Sequence, residues 1–297
     1  MTTEPLARPA ARPPVKPSAI LIGSGGVLLA LTLLCFTAPW IAWLLGVDGT
    51  RVDIFNRLAP PGADHWLGTD ELGRDYLIRV LEGGRVSLAV GLIGAVAAAL
   101  IGTAIGLIGA YAGGRVDALA MRLTDLVIAL PILPLLLIVA AIDPARLGLP
   151  TGGLADVGRI VVIVALFGWP TVARVARSAA LSVRRRTYVL AAEALGARAH
   201  HVLWRHVLPN VAGPILVAAT LGIGNVVLVE SVLSFLGLGV QPPTPSWGNL
   251  LSDAQTLLVQ APLLAIVPGL MIFVTVIAFN ALGDGLQAHL DRRRAVR

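Results

Sequence analysis

The sequence has 297 residues, of which 56% are hydrophobic and only 13% are charged. A water-soluble domain carries about 25% charged residues and could not bury this much apolar surface, so the composition excludes an ordinary soluble fold and favours the bilayer as solvent. The net charge is +6, and nearly all of the basic residues are arginines. Because Lys16 is the only lysine, the chain lacks the G-x-x-x-x-G-K-[ST] loop that cradles ATP phosphates.

The N-terminal segment 1–18 is rich in proline and basic residues, which predicts a disordered basic cytoplasmic tail. The apolar run from Ala19 to Val47 is longer than the core of about 7–15 residues in a signal peptide. It predicts a retained first transmembrane helix over 19–47, with Trp40 and Trp43 as interface anchors at its far end. Cys35 lies inside this run without a partner for a disulfide, and is predicted to face lipid or a neighbouring helix.

The next segment, 48–85, is predicted to be an extracytoplasmic loop that contains a short amphipathic helix over 70–82. Asp70 is the predicted N-cap of this helix. Asp75 and Arg79 are spaced as an i,i+4 ion pair, which adds a few tenths of a kcal/mol to a helix. The helix is interpreted either as a structural elbow or as an external docking contact.

Five further apolar segments are each close to the roughly 20 residues needed to cross a bilayer. In the first of them Ala98, Gly102, Gly106 and Ala110 recur every four residues, which predicts close helix packing. The packing partner is either the bundle itself or another protein across a translocation path. The five spans are predicted at 86–112, 123–142, 159–178, 211–236 and 262–284, and with the first helix they make an all-α membrane protein of about six transmembrane helices.

The arginines predict the orientation, because basic residues collect on the cytoplasmic side of membrane proteins. With the N-terminus inside, the basic stretches at 115–122, 184–205 and 292–297 also fall inside, so both termini are predicted to be cytoplasmic. The segment 48–85 disagrees, because it places five arginines outside. The arginines lie beside apolar runs without interleaved aromatic residues, which argues against nucleic-acid binding.

The longest predicted cytoplasmic loop, 184–210, has the pattern of a compact knob. It is predicted to form a helix near 188–195, a bend at Gly196 and a second helix near 198–207. Pro209 disfavours helical geometry at the residue before it and is predicted to end the second helix. Such a knob could carry force from another protein into the fourth and fifth spans. Its predicted apolar face comprises Leu195, Ala199, Val202 and Leu203.

This loop resembles the "EAA" loop of binding-protein-dependent ABC importer permeases. The stretch Ala191-Ala192-Glu193-Ala194-Leu195-Gly196 is followed, twelve residues after the glycine, by Leu208-Pro209-Asn210. Leu190 replaces the usual glutamate before the alanines, and His206 replaces the usual isoleucine. Both departures are similar to the peptide/nickel branch of the family.

Two more stretches resemble the same branch. Residues 67–75 read LGTDELGRD, and residues 234–248 read SFLGLGVQPPTPSWG. Together with shorter matches near the C-terminus, the resemblance covers about 65–292 and is nearest to the C-type subunit of dipeptide, oligopeptide or nickel importers. It implies a permease core of five spans over 86–290.

The resemblance also implies function and partners. The chain would be a multi-pass inner-membrane permease that forms, with a second homologous permease, the path for di- or oligopeptides or nickel. Two ATPase subunits would bind ATP and Mg, an extracytoplasmic substrate-binding protein would deliver the cargo, and this chain would carry no cofactor, metal or catalytic residue. The implied ATPase-coupling residues are Ala191, Ala192, Gly196, Val202, Leu203, His206, Leu208 and Pro209.

Glu230 is the main ionisable residue near an apolar span, close to the predicted outer end of the fifth. Because a charge at the bilayer centre costs about 2.5–3.5 kcal/mol, such residues are candidates for function. Glu230 is predicted to line the path or to form a helix–helix hydrogen bond, with Ser231 or Ser234 as neighbours. Asn225 and Asn280 are weaker candidates of the same kind.

Two other classes of protein fit the sequence less well. An ion-coupled secondary transporter usually has midplane charges and broken helices in repeated halves. Pro131 and Pro134 could break the third span, but the other half shows no matching site. An intramembrane enzyme needs a nucleophile beside a base, and the sequence offers no such pair. The histidines at 200, 201 and 206 do not share a helical face, so no metal site is predicted.

Overall fold

The computed structural model describes residues 19–142, 144–148, 150 and 152–295. The predicted tail 1–18 lies outside these residues. Within them the regular elements are helical, apart from one isolated β-bridge between Thr69 and Asp75. Five helices are long and apolar enough to cross a membrane, or six if one bent pair counts as a span, which confirms the predicted all-α bundle.

Eleven α-helices make up the described part of the chain, joined by 3₁₀ turns at Ile54–Asn56, Pro144–Leu147 and Ala254–Leu257. They are α1 (Ala19–Phe36), α2 (Ala38–Leu45), α3 (Tyr76–Ala112), α4 (Gly114–Ala129), α5 (Ile132–Ala140), α6 (Leu154–Arg184), α7 (Thr187–Ala194), α8 (Ala199–Val202), α9 (Leu208–Phe235), α10 (Trp247–Asp253) and α11 (Leu263–Ala295).

The long helices α3 and α6 pack along each other at the centre of the bundle, with α9 against both. Their close approach depends on the small residues predicted from the sequence. A Cβ atom added to Gly102 would lie 2.5 Å from the Trp169 carbonyl oxygen, and one added to Gly106 would lie 3.0 Å from Cβ of Ala176. The stripe of small residues therefore packs on α6, inside the bundle.

The first span is shorter than predicted, because the helix breaks at Thr37. Its hydroxyl donates to the Leu33 carbonyl at 2.8 Å, and Pro39 has no N–H to continue the α-helical ladder. Trp40 and Trp43 lie exposed on α2, after the break. Cys35 is fully buried in a core cluster with residues of α3 and α10, so it faces neighbouring helices.

The third span is not one straight helix. Helices α4 and α5 meet at an angle of 84° around Leu130 and Pro131. Proline removes a backbone donor and pushes the preceding residue to extended geometry, and Leu130 has φ −71° and ψ 138°. The span predicted over 123–142 is therefore bent, and the suspected break at Pro131 is confirmed.

The amphipathic helix predicted over 70–82 is also wrong. Helix α3 begins at Tyr76, with Asp75 as the N-cap that accepts from the Ile78 amide at 3.0 Å, and it continues without a break into the second span. Gly73 has φ +73°, and a Cβ added there would collide with the Asp53 backbone. This left-handed turn keeps residues 70–75 out of the helix.

Asp70 caps the turn instead, and it is the anion of a buried charge cluster. Its Oδ2 lies 2.7 Å from Nε of Arg74 and 3.2 Å from Nε of Arg79, and all three residues are less than one-tenth exposed. The predicted Asp75–Arg79 ion pair is therefore wrong, and Asp75 contacts Nδ1 of His65 at 2.9 Å. Two of the five arginines that disagreed with the predicted orientation are thus paired inside the fold.

Candidate functional site

Two ends of the bundle carry different structures. The α7 end holds α7, α8 and the turn between them, attached to the last turns of α3 and α6 through a core cluster that includes Leu107, Val183, Val189 and Val202. The α10 end holds α10, residues 46–75 and the start of α3, joined by a second cluster around Trp247 and Tyr76. The α7 end carries a candidate docking loop, and the α10 end is packed by apolar side chains.

The docking loop, residues 185–207, turns at Gly196. This glycine has φ +81°, its amide donates to the Glu193 carbonyl at 3.0 Å, and the Ala197 amide donates to the Ala192 carbonyl at 3.0 Å. Hydrogen bonds of this kind close the C-terminus of a helix when the next residue adopts the left-handed conformation, and that conformation favours glycine. No atom lies within 4 Å of a Cβ added at Gly196, so the constraint there comes from the backbone alone.

The second helix of the loop does not stop at Pro209. A π-helical turn over Leu203–Val207 leads directly into α9, so that Ala199–Phe235 is a single helical run of 37 residues. Pro209 occupies the first turn of α9, where a missing N–H is tolerated. The predicted helix stop is therefore wrong, and the docking loop is rigidly continuous with a membrane span.

Arg184 ties the root of the loop to the end of α3. Its Nη1 donates to the Ala110 carbonyl at 2.7 Å, its guanidinium lies 4.8 Å from the centre of the Tyr111 ring, and its Nη2 is 3.8 Å from Oε1 of Glu193. An arginine that satisfies the carbonyls at a helix C-terminus also complements the helix dipole. Movement of the loop is thereby coupled to α3 as well as to α6 and α9.

The side of the loop away from the bundle exposes large apolar groups. Leu195 is 89% exposed, Trp204 67% and Leu190 51%. The predicted apolar face is divided, because Val202 is fully buried while Leu195 and Ala199 are exposed. Of the coupling residues predicted from the family, Ala191, Gly196 and Pro209 are exposed, Ala192, Leu203, His206 and Leu208 are half-buried, and Val202 is buried.

Trp204 is the residue that the sequence analysis missed. It is a large aromatic side chain in the same loop as the exposed Leu190 and Leu195. A tryptophan in a segment predicted to lie in water is a signal for a protein contact. The ring of His206 lies 6.0 Å from that of His201 and 6.1 Å from that of Tyr188, centre to centre. Among the described residues, no group of three or more His, Cys, Asp or Glu side chains is placed to hold a metal ion.

A cavity of about 870 Å³ lies between α3, α4, α5, α6 and α9. Its lining is mostly aliphatic, and Asn225 is a polar residue midway along α9. The exposed side chains of Gln287 and Asp291 mark its edge at the α7 end. At the other end the lining residues Leu136, Phe167 and Val229 belong to a packed apolar cluster, so the cavity is closed towards the α10 end.

Glu230 lies outside the cavity lining, fully buried between α9 and α3. Its Oε2 accepts from the Ser87 hydroxyl of α3 at 2.9 Å, and its Oε1 accepts from the Ser234 hydroxyl at 2.7 Å. Ser231 lies farther away, at 3.5 Å, and donates to the Val227 carbonyl at 2.8 Å. The structure thus places Glu230 in a helix–helix hydrogen-bond network. Asn280 is exposed on α11, and its Oδ1 lies beside Gly224 of α9.

Comparisons with known proteins agree on one kind of molecule. Residues 80–296 match the family described as "Binding-protein-dependent transport system inner membrane component". The glutathione transport system permease protein GsiD of Pectobacterium atrosepticum is 40% identical over 92% of this chain and 86% of its own length. The oligopeptide transport system permease protein OppC of Bacillus subtilis is 36% identical over 89% of this chain and 83% of its own.

Solved structures share the fold. The inward-facing methionine ABC transporter MetNI matches with a TM-score of 0.56 at 18% identity, over 71% of this chain and 95% of that chain. An amino acid ABC transporter with histidines matches with a TM-score of 0.53 at 16% identity, over 74% and 95%.

Proposed function

Because this chain belongs to the family of binding-protein-dependent transport system inner membrane components, we propose that it is one permease subunit of an ATP-driven peptide importer. The chain is a multi-pass transport component of the inner membrane and not an enzyme. A second, homologous permease would complete the path, and two separate subunits would bind ATP and Mg. An extracytoplasmic binding protein would deliver the cargo.

The α7 end faces the cytoplasm in this proposal. Arg185, Arg186, Arg198 and Arg205 are exposed there, and basic residues favour the cytoplasmic side. At the α10 end Asp70 pairs with both Arg74 and Arg79 and offsets one of their two positive charges, which leaves fewer free cations outside. Both chain termini are then cytoplasmic.

The observation that carries the proposal is the docking loop. A loop beyond the ends of membrane spans is in water, yet it exposes Leu195 and Trp204 on a backbone fixed to three spans. Exposed aromatic and aliphatic groups on a rigid surface are typical of a protein interface. The ATPase subunit is the partner that must contact the cytoplasmic side in an importer whose own chain has no phosphate-binding lysine.

Peptides are the proposed cargo. The relatives above are named for glutathione and oligopeptide transport, and a cavity of about 870 Å³ is of the size that holds a small organic ligand. Its aliphatic wall offers few groups that would recognise side chains, so selectivity would reside mostly in the binding protein. Nickel is the other cargo that the sequence resemblance left open.

Alternating access requires that ATP favour one of two states. Moving such an equilibrium from 1:99 to 99:1 takes about 5.5 kcal/mol of differential binding, which the ATPases and the binding protein must supply. This chain contributes the geometry, because the docking loop and α9 form a single helical run.

The test uses the complete transporter, expressed with its partner subunits. In the Gly196→Pro variant, residue 196 cannot adopt φ +81°, because proline fixes φ near −65°. The turn between α7 and α8 should therefore be lost. We expect normal membrane insertion and loss of most co-purified ATPase. Gly196→Asn is the matched control, because asparagine tolerates the left-handed region, and it should retain the ATPase.

Full co-purification of the ATPase with Gly196→Pro would contradict the coupling role. Uptake in proteoliposomes separates the remaining possibilities. ATP-dependent accumulation of a labelled di- or tripeptide supports the peptide assignment, whereas accumulation of nickel alone overturns it. Transport driven by an ion gradient without the ATPases would favour a secondary transporter.

A further inference from the structure

The closed end of the cavity is made by side chains from three helices. Leu136 of α5, Ile163 of α6 and Leu233 of α9 are each at most 5% exposed and form one apolar cluster. Leu238 packs against the same cluster from the loop between α9 and α10, residues 236–246. This segment, called here the 236–246 loop, therefore covers the wall that separates the cavity from the α10 end.

The loop keeps its shape through polar contacts at its carbonyl groups. Arg159 of α6 donates from Nη2 to the Leu238 carbonyl at 3.2 Å. Asn249 of α10 donates from Nδ2 to the carbonyls of Thr244 at 2.8 Å and Val240 at 3.2 Å. These contacts hold carbonyl groups along the loop. Two backbone amides, those of Val240 and Trp247, are held by a different group.

One carboxyl group reaches Val240 inside the loop and Trp247 just after it, through one serine each. The Val240 amide donates to the Ser234 hydroxyl oxygen at 3.1 Å, and Ser234 donates to Oε1 of Glu230. The Trp247 amide donates to the Ser87 hydroxyl oxygen at 3.2 Å, and Ser87 donates to Oε2 of Glu230. All of the side chains in these two chains of hydrogen bonds are at most 1% exposed.

Both serines donate to residue 230, so its side chain must offer two acceptor atoms. A serine hydroxyl has one hydrogen, and in each chain it points to Glu230 while the oxygen accepts a backbone N–H. A carboxylate offers two acceptor oxygens, whereas a glutamine offers one acceptor and one donor. Glu230→Gln therefore preserves the shape but replaces one acceptor by a donor, so one serine must turn its hydrogen elsewhere and that connection is weakened.

We propose that Glu230 is a positioning residue that holds the 236–246 loop against the apolar wall and so seals the cavity from the outside. The role rests on the proposed function, because it assigns the α10 end to the extracytoplasmic side. Glu230 does not contact cargo in this role. When α9 moves during transport, the Glu230–Ser87 connection to α3 must change, and the seal opens from the outer side.

The experiment measures access to the cavity directly. In the complete transporter with Cys35→Ala, Asn225→Cys places one thiol on the cavity wall. A membrane-impermeant maleimide added outside should label it slowly in the resting state. Glu230→Gln should raise the labelling rate by about tenfold, the effect of weakening one buried hydrogen bond on a two-state equilibrium.

Single-link variants and a control refine the result. Ser87→Ala and Ser234→Ala each remove one connection and should raise the rate as Glu230→Gln does. Thr220→Ala removes an α9 hydroxyl that donates to the Leu216 carbonyl of the same helix, so it should leave the rate unchanged. Co-purification of the partner subunits must be normal in each variant, which separates a loosened seal from misfolding.

Equal labelling rates in all three network variants and in the parent would overturn the role of Glu230. Fast external labelling of the parent itself, with labelling from inside slow, would instead contradict the orientation in the proposed function. The two failures are therefore distinguishable.

Discussion

Asp70 has two structural roles, because it caps a turn and pairs with two buried arginines. Its Oδ1 accepts from the amides of Leu72 and Arg74 at 2.9 Å, while its Oδ2 faces the side chains of Arg74 and Arg79. A carboxylate with this many donors fixes the start of α3 against the loop before it. Loss of the carboxylate would leave two buried guanidinium groups without the anion that they contact.

Asp70→Ala should therefore destabilise the protein by about 3–5 kcal/mol, the range for breaking a buried ion pair from one side. The measurement is the apparent thermal unfolding midpoint of the purified complex in detergent. Asp64→Ala is the matched control, since Asp64 is exposed on the same loop, and its midpoint should stay near that of the parent. An Asp70→Ala midpoint equal to the control would contradict the importance of the cluster.

Two carboxyl groups beside this cluster predict a pH dependence. Burial raises the pKa of Asp253, against the attraction of Arg79 and Arg74, and burial with the negative charges of Asp253 and Asp70 raises the pKa of Glu71. The folded loop thus holds protons more tightly than the unfolded chain. These two groups contribute stability that is greatest at low pH and is lost as the pH rises from the ordinary carboxyl range through the raised pKa values. Hydrogen bonds from Thr50 lower the pKa of Asp48, which contributes in the opposite direction at more acidic pH.

Hydrogen exchange of amides in residues 46–75 checks this sign. Protection should decrease as the pH rises through the weakly acidic range, after correction for intrinsic exchange. Asp253→Asn should flatten the profile, because the amide does not ionise. Protection that increases with pH in the parent would show that the burial of these carboxyl groups is not the dominant influence.

At the level of the helices, the sequence predicted the features that depend on the length of apolar segments and on single glycine and proline residues. The number of spans, the turn at Gly196 and the break at Pro131 follow from length, glycine and proline. The start of α3 was misplaced because an apolar stripe and a plausible cap at Asp70 fit a helix equally well. Only the approach of residue 53 to Gly73 shows that a left-handed turn intervenes.

The same limit applies to the candidate site. The docking loop was recognisable from its motif, but the helix stop at Pro209 was not, since proline either ends a helix or begins one. Glu230 was recognised as unusual from its charge. Its partners could not be deduced, because Ser87 lies 143 positions earlier in the chain. Long-range pairing of this kind is a property of the packed bundle.

The close contact of α3 with α6 predicts a strong effect of added volume. At Gly106 a Cβ atom would press on Ala176 and on the backbone of α6, so Gly106→Val should separate the two helices and cost about 1–3 kcal/mol or more. Gly26→Val is the control, because Gly26 is exposed on α1 with no atom within 4 Å of an added Cβ. The yield of monodisperse complex and its unfolding midpoint provide the measurement.

If both glycine variants behave alike, the α3–α6 contact is not limiting for stability. The added methyl groups of the control should contact lipid, where an apolar side chain costs nothing.

For the whole molecule, the proposed function predicts that transport depends on the cavity. Ala218→Trp places a large aromatic group on its wall and should abolish most peptide uptake while the ATPase subunits remain bound. Ile277→Trp is the matched control, because Ile277 is 51% exposed on α11, outside the cavity lining. Uptake and ATP hydrolysis are measured in the same proteoliposomes. Unimpaired uptake by Ala218→Trp would mean that cargo follows another route.

The helical run over Ala199–Phe235 joins the docking loop to α9 and includes the π-helical turn at Leu203–Val207 and Pro214 inside α9. Trp204 and Glu230 lie near the opposite ends of this run. Under the proposed function, a push on Trp204 would tilt the segment that carries Glu230, and any bending would be concentrated at the π-helical turn and at Pro214. The stiffness of these two positions would then decide how closely the two sides of the membrane respond together.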